Sequence, residues 1–181
     1  MTAHPRRSFP LADRPLVPAT GDNRLIDLTA RPRLGLRGPG TPAWCAGHGL
    51  PFPDRINQTA EAGGITVARL GTYEILVLTD GQASLPATPL PPDAWDGYRD
   101  ETWFWIRMTG PSTQAALATL TSVDLRPARV PPGRVLQTRA AGLDAVLVLH
   151  EGSVDIFADI ASAEYFADVL ADRCPEFGWS E

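Results

Sequence analysis

The chain has 181 residues, of which 44% are hydrophobic and 20% are charged, the composition of a folded domain with a substantial core. Its formal net charge of −5 gives it no general basic character for binding nucleic acid or an anionic membrane, and we expect neither partner. Its 18 prolines are about twice the usual share of 5% and predict many loops and extended connections.

The cysteines and the N-terminus indicate a cytoplasmic protein. Cys45 and Cys174 have neither a disulfide nor a zinc spacing, which favours a reducing compartment. Arg6-Arg7-Ser8-Phe9 is similar to the start of a twin-arginine export signal, but charges and prolines between residues 13 and 18 interrupt the apolar segment that such a signal needs. No window approaches 18 uncharged apolar residues, so no membrane span is predicted.

Residues 1–33 are predicted to form an extended N-terminal arm without a core of its own, apart from a short strand over 24–28. Prolines at positions 5, 10, 15 and 18 interrupt any periodic pattern there. Arms of this kind often lie on a partner.

Residues 34–181 are predicted to form one duplicated domain, with its first half over about 34–80. Arg33 to Arg37 alternates like a strand, and a short helix is expected after Gly38-Pro39. Two further strands, Ile65 to Leu70 and Tyr73 to Leu78, flank a turn at Gly71-Thr72.

Residues 81–102 are interpreted as a long linker between the halves. Four prolines interrupt the segment, and it also holds the aromatics Trp95 and Tyr98. Loops of this length are uncommon and tend to be functional segments or linkers. We expect the segment to pack on its own domain, with Trp95 as a candidate for a partner interface.

The second half, about 103–174, has the best-marked elements. The aromatic and β-branched run Trp103 to Met108 predicts a strand, and Pro111 and Ser112 suit the start of a helix of about three turns. Strands are expected near 145–149 and 154–160, joined by a turn at 151–153. Ser162 is predicted to cap a last helix, Ala163 to Arg173.

An internal echo indicates that the halves are related. Gly110-Pro111-Ser112-Thr113-Gln114-Ala115 follows Gly38-Pro39-Gly40-Thr41-Pro42-Ala43 at an offset of 72 residues. Further along, Gly71 can be laid on Gly142 or on Gly152, and the sequence does not choose between them. Two strand–helix–strand units of this kind predict an α+β fold with helices on one face of mainly antiparallel sheets.

The central segment resembles the signature of the gamma subunit of heterotetrameric sarcosine oxidase. The matching residues are Gly110, Pro111, Asp124, Leu125, Pro127, Pro132, Gly133 and Thr138, followed by a second run at Ser162, Tyr165, Phe166, Val169 and Leu170. Arg126 stands where that family usually has histidine. The resemblance covers roughly 34–179 and implies a fold related to the folate-binding domain of the glycine-cleavage T protein.

The sequence itself assigns no catalytic, cofactor-binding or metal residue. Cys45 and His48 are spaced for one helix face, but a closed zinc site needs four ligands. The glycine-rich stretches lack nucleotide-binding spacings, and the chain has no lysine. Three serines lie in no nucleophile elbow, and turn or capping roles account for them: Ser112, Ser153 and Ser162. Four carboxylates are interpreted as a solvated face: Asp155, Asp159, Asp168 and Asp172. Trp103 to Trp105 could stack a flat ligand, but alternate strand residues point to opposite faces, which favours core plus interface.

The resemblance implies a non-catalytic subunit of a flavin-dependent complex that oxidatively demethylates an N-methyl amine. FAD, FMN, NAD and tetrahydrofolate are then expected on larger flavoprotein subunits of a hetero-oligomer and not on this chain. The alternative is a stand-alone folate-binding or one-carbon-transfer protein. Whether the chain is itself an enzyme stays open.

The C-terminal tail supplies two further candidates for a partner interface, Phe177 and Trp179. Aromatic side chains near a terminus lose stabilisation unless something covers them. They are expected either to fold back on their own sheet or to anchor a larger subunit.

Overall fold

The computed structural model describes residues 9–15, 21–86, 89–126 and 128–180. The chain forms two compact units. The first unit comprises residues 1–30, 101–132 and 136–181, and the second unit comprises residues 31–100 and 133–135.

The strands in chain order are β1 (Arg24–Asp27), β2 (Arg33–Arg37), β3 (Thr59–Ala62), β4 (Ile65–Arg69), β5 (Glu74–Thr79), β6 (Trp95–Asp96), β7 (Trp103–Thr109), β8 (Val135–Ala140), β9 (Leu143–His150), β10 (Ser153–Asp159) and β11 (Gly178–Ser180). The α-helices are α1 (Thr41–Gly47), α2 (Arg99–Thr102), α3 (Thr113–Leu120) and α4 (Ala163–Arg173). None of the described helices is long and apolar enough to cross a membrane.

The first unit is built on a six-stranded sheet in the order β11-β1-β7-β10-β9-β8. The pairings of β7 with β1 and β10, and of β10 with β9, are antiparallel, whereas β11 pairs with β1 in parallel. Helices α3 and α4 cover one face of this sheet, where their apolar residues join those of β7, β9 and β10 in a single core. The α+β class with mainly antiparallel sheets, expected from the sequence, is confirmed.

The aromatic run of β7 is divided between the two faces of the sheet. Phe104 lies in the core under α4, with its ring centroid 5.2 Å from that of Phe166. Trp103 and Trp105 point the other way, and their centroids lie 6.1 and 5.4 Å from that of Phe157. This division follows from the two-residue period of a strand. It means that the three rings do not form one stacking platform.

The N-termini of α3 and α4 lack the serine side-chain caps that the sequence predicted. Helix α3 has eight residues, about two turns rather than three, and the Ser112 hydroxyl makes no capping bond. Asn23 binds there instead: its Oδ1 accepts from the Ser112 N–H at 3.0 Å, and its Nδ2 donates to the Ser112 hydroxyl at 3.1 Å. Helix α4 has the predicted bounds, but Ser162 makes no side-chain cap either. Asp159 accepts from the Ala161 N–H in the 3-10 turn that leads into the helix.

The short strand predicted over 24–28 is present, whereas the described parts of the predicted arm pack against the first unit and are not a segment without a core. Residues 24–27 form β1 inside the first sheet, and Leu25 is buried in its core. The described piece 9–15 also lies on the first unit, since Leu11 is 4% exposed and the Arg14 guanidinium donates to Asp168 at 2.9 Å. The rest of the arm, residues 1–8 and 16–20, lies outside the described residues.

The second unit is built on a five-stranded sheet in the order β3-β4-β5-β2-β6, with antiparallel pairings between all neighbours. Trp44 and Cys45 of α1 join apolar residues of β2, β4 and β5 in its core. The strands predicted over 33–37, 65–70 and 73–78 are confirmed. The segment 81–102 is not a free linker, because it contains β6 and α2, and residues up to 100 belong to this unit.

The two sheets share one plan, which confirms the duplication. In the second unit β2 leads through a Gly-Pro step into α1, and β3, β4 and β5 follow. In the first unit β7 leads through a Gly-Pro step into α3, and β8, β9 and β10 follow. Read from β6 to β3 and from β1 to β8, the two sheets have these corresponding strands in the same spatial order. Gly38 and Gly110 have the same φ of 122°, a value that L side chains rarely adopt. Arg37 of β2 pairs with Glu74 of β5, and Thr109 of β7 pairs with Ser153 of β10. Strands β5 and β10 therefore correspond at a spacing of 79 residues. This spacing is two residues short of the alignment of Gly71 with Gly152.

Candidate functional site

A buried ionic cluster lies in the first unit on the sheet face opposite its helices. Arg107 of β7 donates to both carboxylate oxygens of Asp155 on β10, at 2.6 Å from Nε and 2.7 Å from the terminal nitrogen. His150 of β9 places Nε2 at 2.8 Å from Asp155 Oδ2. Arg107 and Asp155 are direct cross-strand partners, so the strand register itself brings them together.

The cluster keeps Asp155 ionised. The residue is 0% exposed, and burial by itself raises the pKa of its carboxyl. The hydrogen bonds from His150 and Arg107, together with their charges, outweigh that effect and hold the pKa of Asp155 below its ordinary value. On the other side of the pair, the Asp155 hydrogen bond raises the pKa of Arg107. Asp155 is therefore a fixed negative charge that orients the His150 ring.

The interpretation of the four aspartates as one solvated face is wrong for Asp155. The other three are exposed, and among them Asp159 caps a turn and Asp168 pairs with Arg14. Asp155 follows the alternation of β10, in which Val154 and Ile156 face the helices, and it therefore lies on the other face, which is also buried. The available signal was an acidic residue within a predicted strand, but its partner Arg107 lies 48 residues earlier in the sequence.

A cavity of about 390 Å³ in the first unit includes His150 in its lining, but neither Arg107 nor Asp155. Its walls come from the start of α3, the β9–β10 turn and the loop before β8, and His150 lies on its rim. Its lining comprises Gly110, Pro111, Thr113, Gln114, Leu117, Leu125, Val130, Pro132, Leu149, His150, Glu151, Gly152, Ser153 and Val154. The lining is mainly apolar with a few polar groups, the usual character of a small-molecule site.

A wider depression of about 770 Å³ lies at the β8 edge of the same sheet. Trp103 and Phe157 form its apolar part, and Arg139, Asp144 and Asp159 are among its charged residues. Arg139 and Asp144 are 74% and 100% exposed with 3.9 Å between the nearest charged atoms, so this pair contributes little to stability.

The three predicted partner-interface residues belong to different units. Phe177 and Trp179 belong to the core of the first unit, 4% and 7% exposed, and β11 pairs with β1 beside them. The Arg14 guanidinium lies 5.4 Å from the Trp179 ring centroid. These two side chains thus fold back on their own sheet, one of the two outcomes left open by the sequence.

Trp95 remains available on the second unit, where it is 54% exposed on the edge strand β6. Tyr73 and Tyr98 are also exposed, at 47% and 59%. In the sheet, Arg37 is the strand partner of Trp95 on one side and of Glu74 on the other, and Tyr73 precedes Glu74 in the chain. The guanidinium of Arg99, which follows Tyr98, forms an ion pair with Glu74 at 2.7 Å. We name Tyr73, Trp95 and Tyr98 the aromatic edge.

The cysteines and the Cys45–His48 pair serve packing in this fold. His48 places Nδ1 at 2.8 Å from the Trp44 carbonyl oxygen, and its ring contacts that of Trp44. Burial raises the pKa of the Cys45 thiol to about 11 and is also the main cause that raises the pKa of Cys174. No group of three or more His, Cys, Asp or Glu residues within the described ranges could hold a metal ion.

The residues that carry the family resemblance hold turns and packing. Arg126, in the place of the usual histidine, makes two side-chain hydrogen bonds to Asp124 at 2.6 and 2.8 Å. Leu125 is buried in the core of the first unit, and Thr138 lies in β8. Pro127 lies outside the described residues.

The fold is similar to two solved structures, whereas no protein-family model and no curated protein matches the sequence. One is a chain of the heterotetrameric sarcosine oxidase from Corynebacterium sp. U-96 in complex with pyrrole 2-carboxylate, with a TM-score of 0.71, 22% identity, and coverage of 92% of this chain and 90% of that one. The other is the glycine cleavage system aminomethyltransferase T from Bartonella henselae, with a TM-score of 0.59, 14% identity, and coverage of 87% and 47%. The expected resemblance to both proteins is confirmed at the level of the fold.

Proposed function

We propose that this chain is a non-catalytic small subunit of a flavin-dependent, sarcosine-oxidase-type complex that oxidatively demethylates an N-methyl amine. The observation that carries the proposal is the likeness to a chain of a heterotetrameric sarcosine oxidase over 92% of this chain and 90% of that one. A correspondence over nearly the full length of both chains favours an equivalent subunit over a shared fragment.

The chemistry of the chain supports a subunit without a reaction centre of its own. Asp155 is fully buried and bound on both oxygens by Arg107 and His150, so it is poorly placed to take a proton from a substrate. Both thiols are buried with raised pKa values, which disfavours them as nucleophiles. In this proposal FAD, FMN, NAD and tetrahydrofolate belong to larger partner subunits. The one-carbon product is formaldehyde or methylenetetrahydrofolate.

The aromatic edge of the second unit is the surface that we assign to a larger subunit. Protein interfaces favour buried aromatic anchors with charged residues at the rim, and this surface offers Tyr73, Trp95 and Tyr98 beside the Arg99–Glu74 ion pair. Phe177 and Trp179, the other two candidates, are already covered within the first unit.

A second candidate function is a stand-alone folate-binding or one-carbon-transfer protein. The likeness to aminomethyltransferase T favours it, but this chain spans only about half of that protein, 47% of its length. A chain that acted in this way would bind tetrahydrofolate without a partner.

To distinguish the two candidate functions, the tagged chain is purified from its own cells, and its absorbance spectrum and the proteins that co-purify with it are recorded. If the chain is a subunit, we expect flavoproteins to co-purify with it in a fixed ratio. We also expect calorimetry to show no tetrahydrofolate binding by the lone chain. A chain that purifies alone and binds tetrahydrofolate supports the second candidate instead.

The docking surface is tested by Trp95→Ala, with Tyr165→Ala as the matched control. Tyr165 is 53% exposed on the first unit, close to the 54% of Trp95, but it lies outside the aromatic edge. We expect Trp95→Ala to weaken assembly by about 2 kcal/mol, roughly 30-fold, and the control to leave it unchanged. Equal effects of the two variants would remove the aromatic edge as the docking site.

A further inference from the structure

We propose that residues 9–15, which we name the strap, open from the first unit while its sheet stays folded, and that this opening uncovers Trp179. The inference is independent of the proposed function, because it rests on contacts within the first unit. Trp179 lies on the edge strand β11, is 7% exposed and belongs to the core of the unit. Opening of the strap brings this large aromatic side chain to the surface of a unit that is otherwise folded.

Leu11 and Arg14 attach the strap to the first unit. Leu11 is 4% exposed and packs in the core, and the Arg14 guanidinium lies over the Trp179 ring, 5.4 Å from its centroid. Arg14 also donates to Asp168 of α4 at 2.9 Å. The two side chains of this ion pair are 21% and 74% exposed, so water screens it and it contributes little to stability. Leu11 is therefore the stronger of the two anchors.

The backbone of the strap forms hydrogen bonds within the strap itself. The N–H of Ala12 donates to the Phe9 carbonyl at 3.1 Å, and that of Arg14 donates to the Leu11 carbonyl at 3.0 Å. The strap keeps both bonds when it opens. Strand β1, by contrast, is paired with β7 on one side and with β11 on the other, so its release would break two ladders. A segment held in this way opens at a lower free energy than the sheet does.

The packing of the closed strap is incomplete. A cavity of about 560 Å³ is lined by Pro10 and Asp13 of the strap, by Glu164 and Ala171 of α4, and by Trp179. The Nε1–H of Trp179 is buried and has no hydrogen-bond partner among the described residues. Such a donor costs free energy in the closed state, and contact with water restores its hydrogen bond. Both features reduce the free energy that opening requires.

The test is the exchange of the Trp179 indole hydrogen with deuterated water, followed by NMR on the whole chain labelled with ¹⁵N. The chain has five tryptophans, and the indole signal that is lost in Trp179→Phe assigns the one of interest. We expect the protection factor of this indole to be at least about tenfold lower than that of the slowest amides of β7 and β10, which exchange when the whole unit unfolds.

Two leucine variants separate opening of the strap from unfolding of the unit. Leu11→Ala is expected to lower the protection factor of the indole at least about tenfold, because it removes the main anchor of the closed state. Leu125→Ala is the matched control, since Leu125 is buried in the same core but does not line the cavity under the strap. It should lower the protection of the β7 and β10 amides and leave that of the indole unchanged.

A second pair of variants tests the polar anchor. Arg14→Ala is expected to lower the protection factor of the indole about two- to tenfold. Arg139→Ala, which removes an exposed arginine of β8, should not change it. An indole that follows the β7 and β10 amides in Leu125→Ala would exchange by unfolding of the whole unit and overturn the proposal. Protection that is unchanged in both strap variants would mean that β11 frays on its own, which overturns it as well.

Discussion

Replacing Asp155 with asparagine should strongly destabilise the first unit. The side chain is 0% exposed and accepts three hydrogen bonds, two from Arg107 and one from His150. Asparagine keeps the shape but removes the charge and turns one acceptor into a donor, which leaves the Arg107 guanidinium without its counter-charge. Removing one partner of a buried pair costs about 3–5 kcal/mol. We take about 3 kcal/mol, because the Arg107 side chain is 29% exposed and recovers part of its hydration.

The assay is urea denaturation followed by tryptophan fluorescence, since Trp103, Trp105 and Trp179 all lie in the first unit. Asp159→Asn is the control, because Asp159 lies on the same strand but is exposed. A double-mutant cycle with Arg107→Met and Asp155→Leu should give a coupling energy of at least about 2 kcal/mol. A loss below about 1 kcal/mol in Asp155→Asn, or additive single mutants, would show that the cluster behaves as an exposed ion pair and refute the reasoning.

The same cluster predicts a dependence of stability on pH with a definite sign. The folded pKa of Asp155 is lowered, so its contribution to stability is fully present above the unfolded value of about 4. That contribution is lost as the pH falls through the folded value. The free energy of unfolding of the wild type should therefore decrease below about pH 4 more steeply than that of Asp155→Asn. Parallel curves would contradict the assignment of a lowered pKa.

Three further predictions follow from burial and backbone geometry. Deleting residues 175–181 should lower the melting temperature of the lone chain, because burial of Phe177 and Trp179 contributes roughly 2 kcal/mol each to its stability. An unchanged melting temperature together with weakened assembly would instead support the hypothesis that the tail anchors a larger subunit. Gly110→Ala should cost at least about 2 kcal/mol in denaturation, since its Cβ would lie 2.6 Å from the Asp22 carbonyl oxygen, whereas Gly152→Ala, with open space, should cost about 1 kcal/mol. Iodoacetamide at pH 8 should label neither cysteine in the folded chain, and rapid labelling would contradict the raised thiol pKa values.

The sequence predicted the elements that have a strong local pattern. The run Trp103 to Met108, the turn at 71–72 and the stripe of α4 each carry their own signal, and the structure has β7, the β4–β5 hairpin and α4 at those places. The duplication was also visible, because the Gly-Pro steps at 38 and 110 need the same positive φ and so keep the same residues.

What the sequence did not predict depends on contacts between distant segments. Strand β1 is only four residues long and follows a proline-rich stretch, so its burial depends on pairing with β7 and β11, more than 70 residues away. The short strand β6 and the buried charge of Asp155 are fixed by partners on other strands in the same way. The candidate site was missed for this reason, since no local pattern links Arg107, His150 and Asp155.

The duplication preserves backbone pairings but not chemistry. Arg107 pairs with Asp155 in the first unit, and the corresponding pair in the second unit is Gly35 with Leu76. A Cβ at Gly35 would lie 2.1 Å from the Arg99 side chain, which crosses this place and would have to move. The second unit thus has an arginine over the same strand position, supplied from elsewhere in the chain and paired with a half-exposed glutamate, Glu74. Since only the first unit has a buried carboxylate at this strand position, the ionic cluster belongs to one half of the duplication.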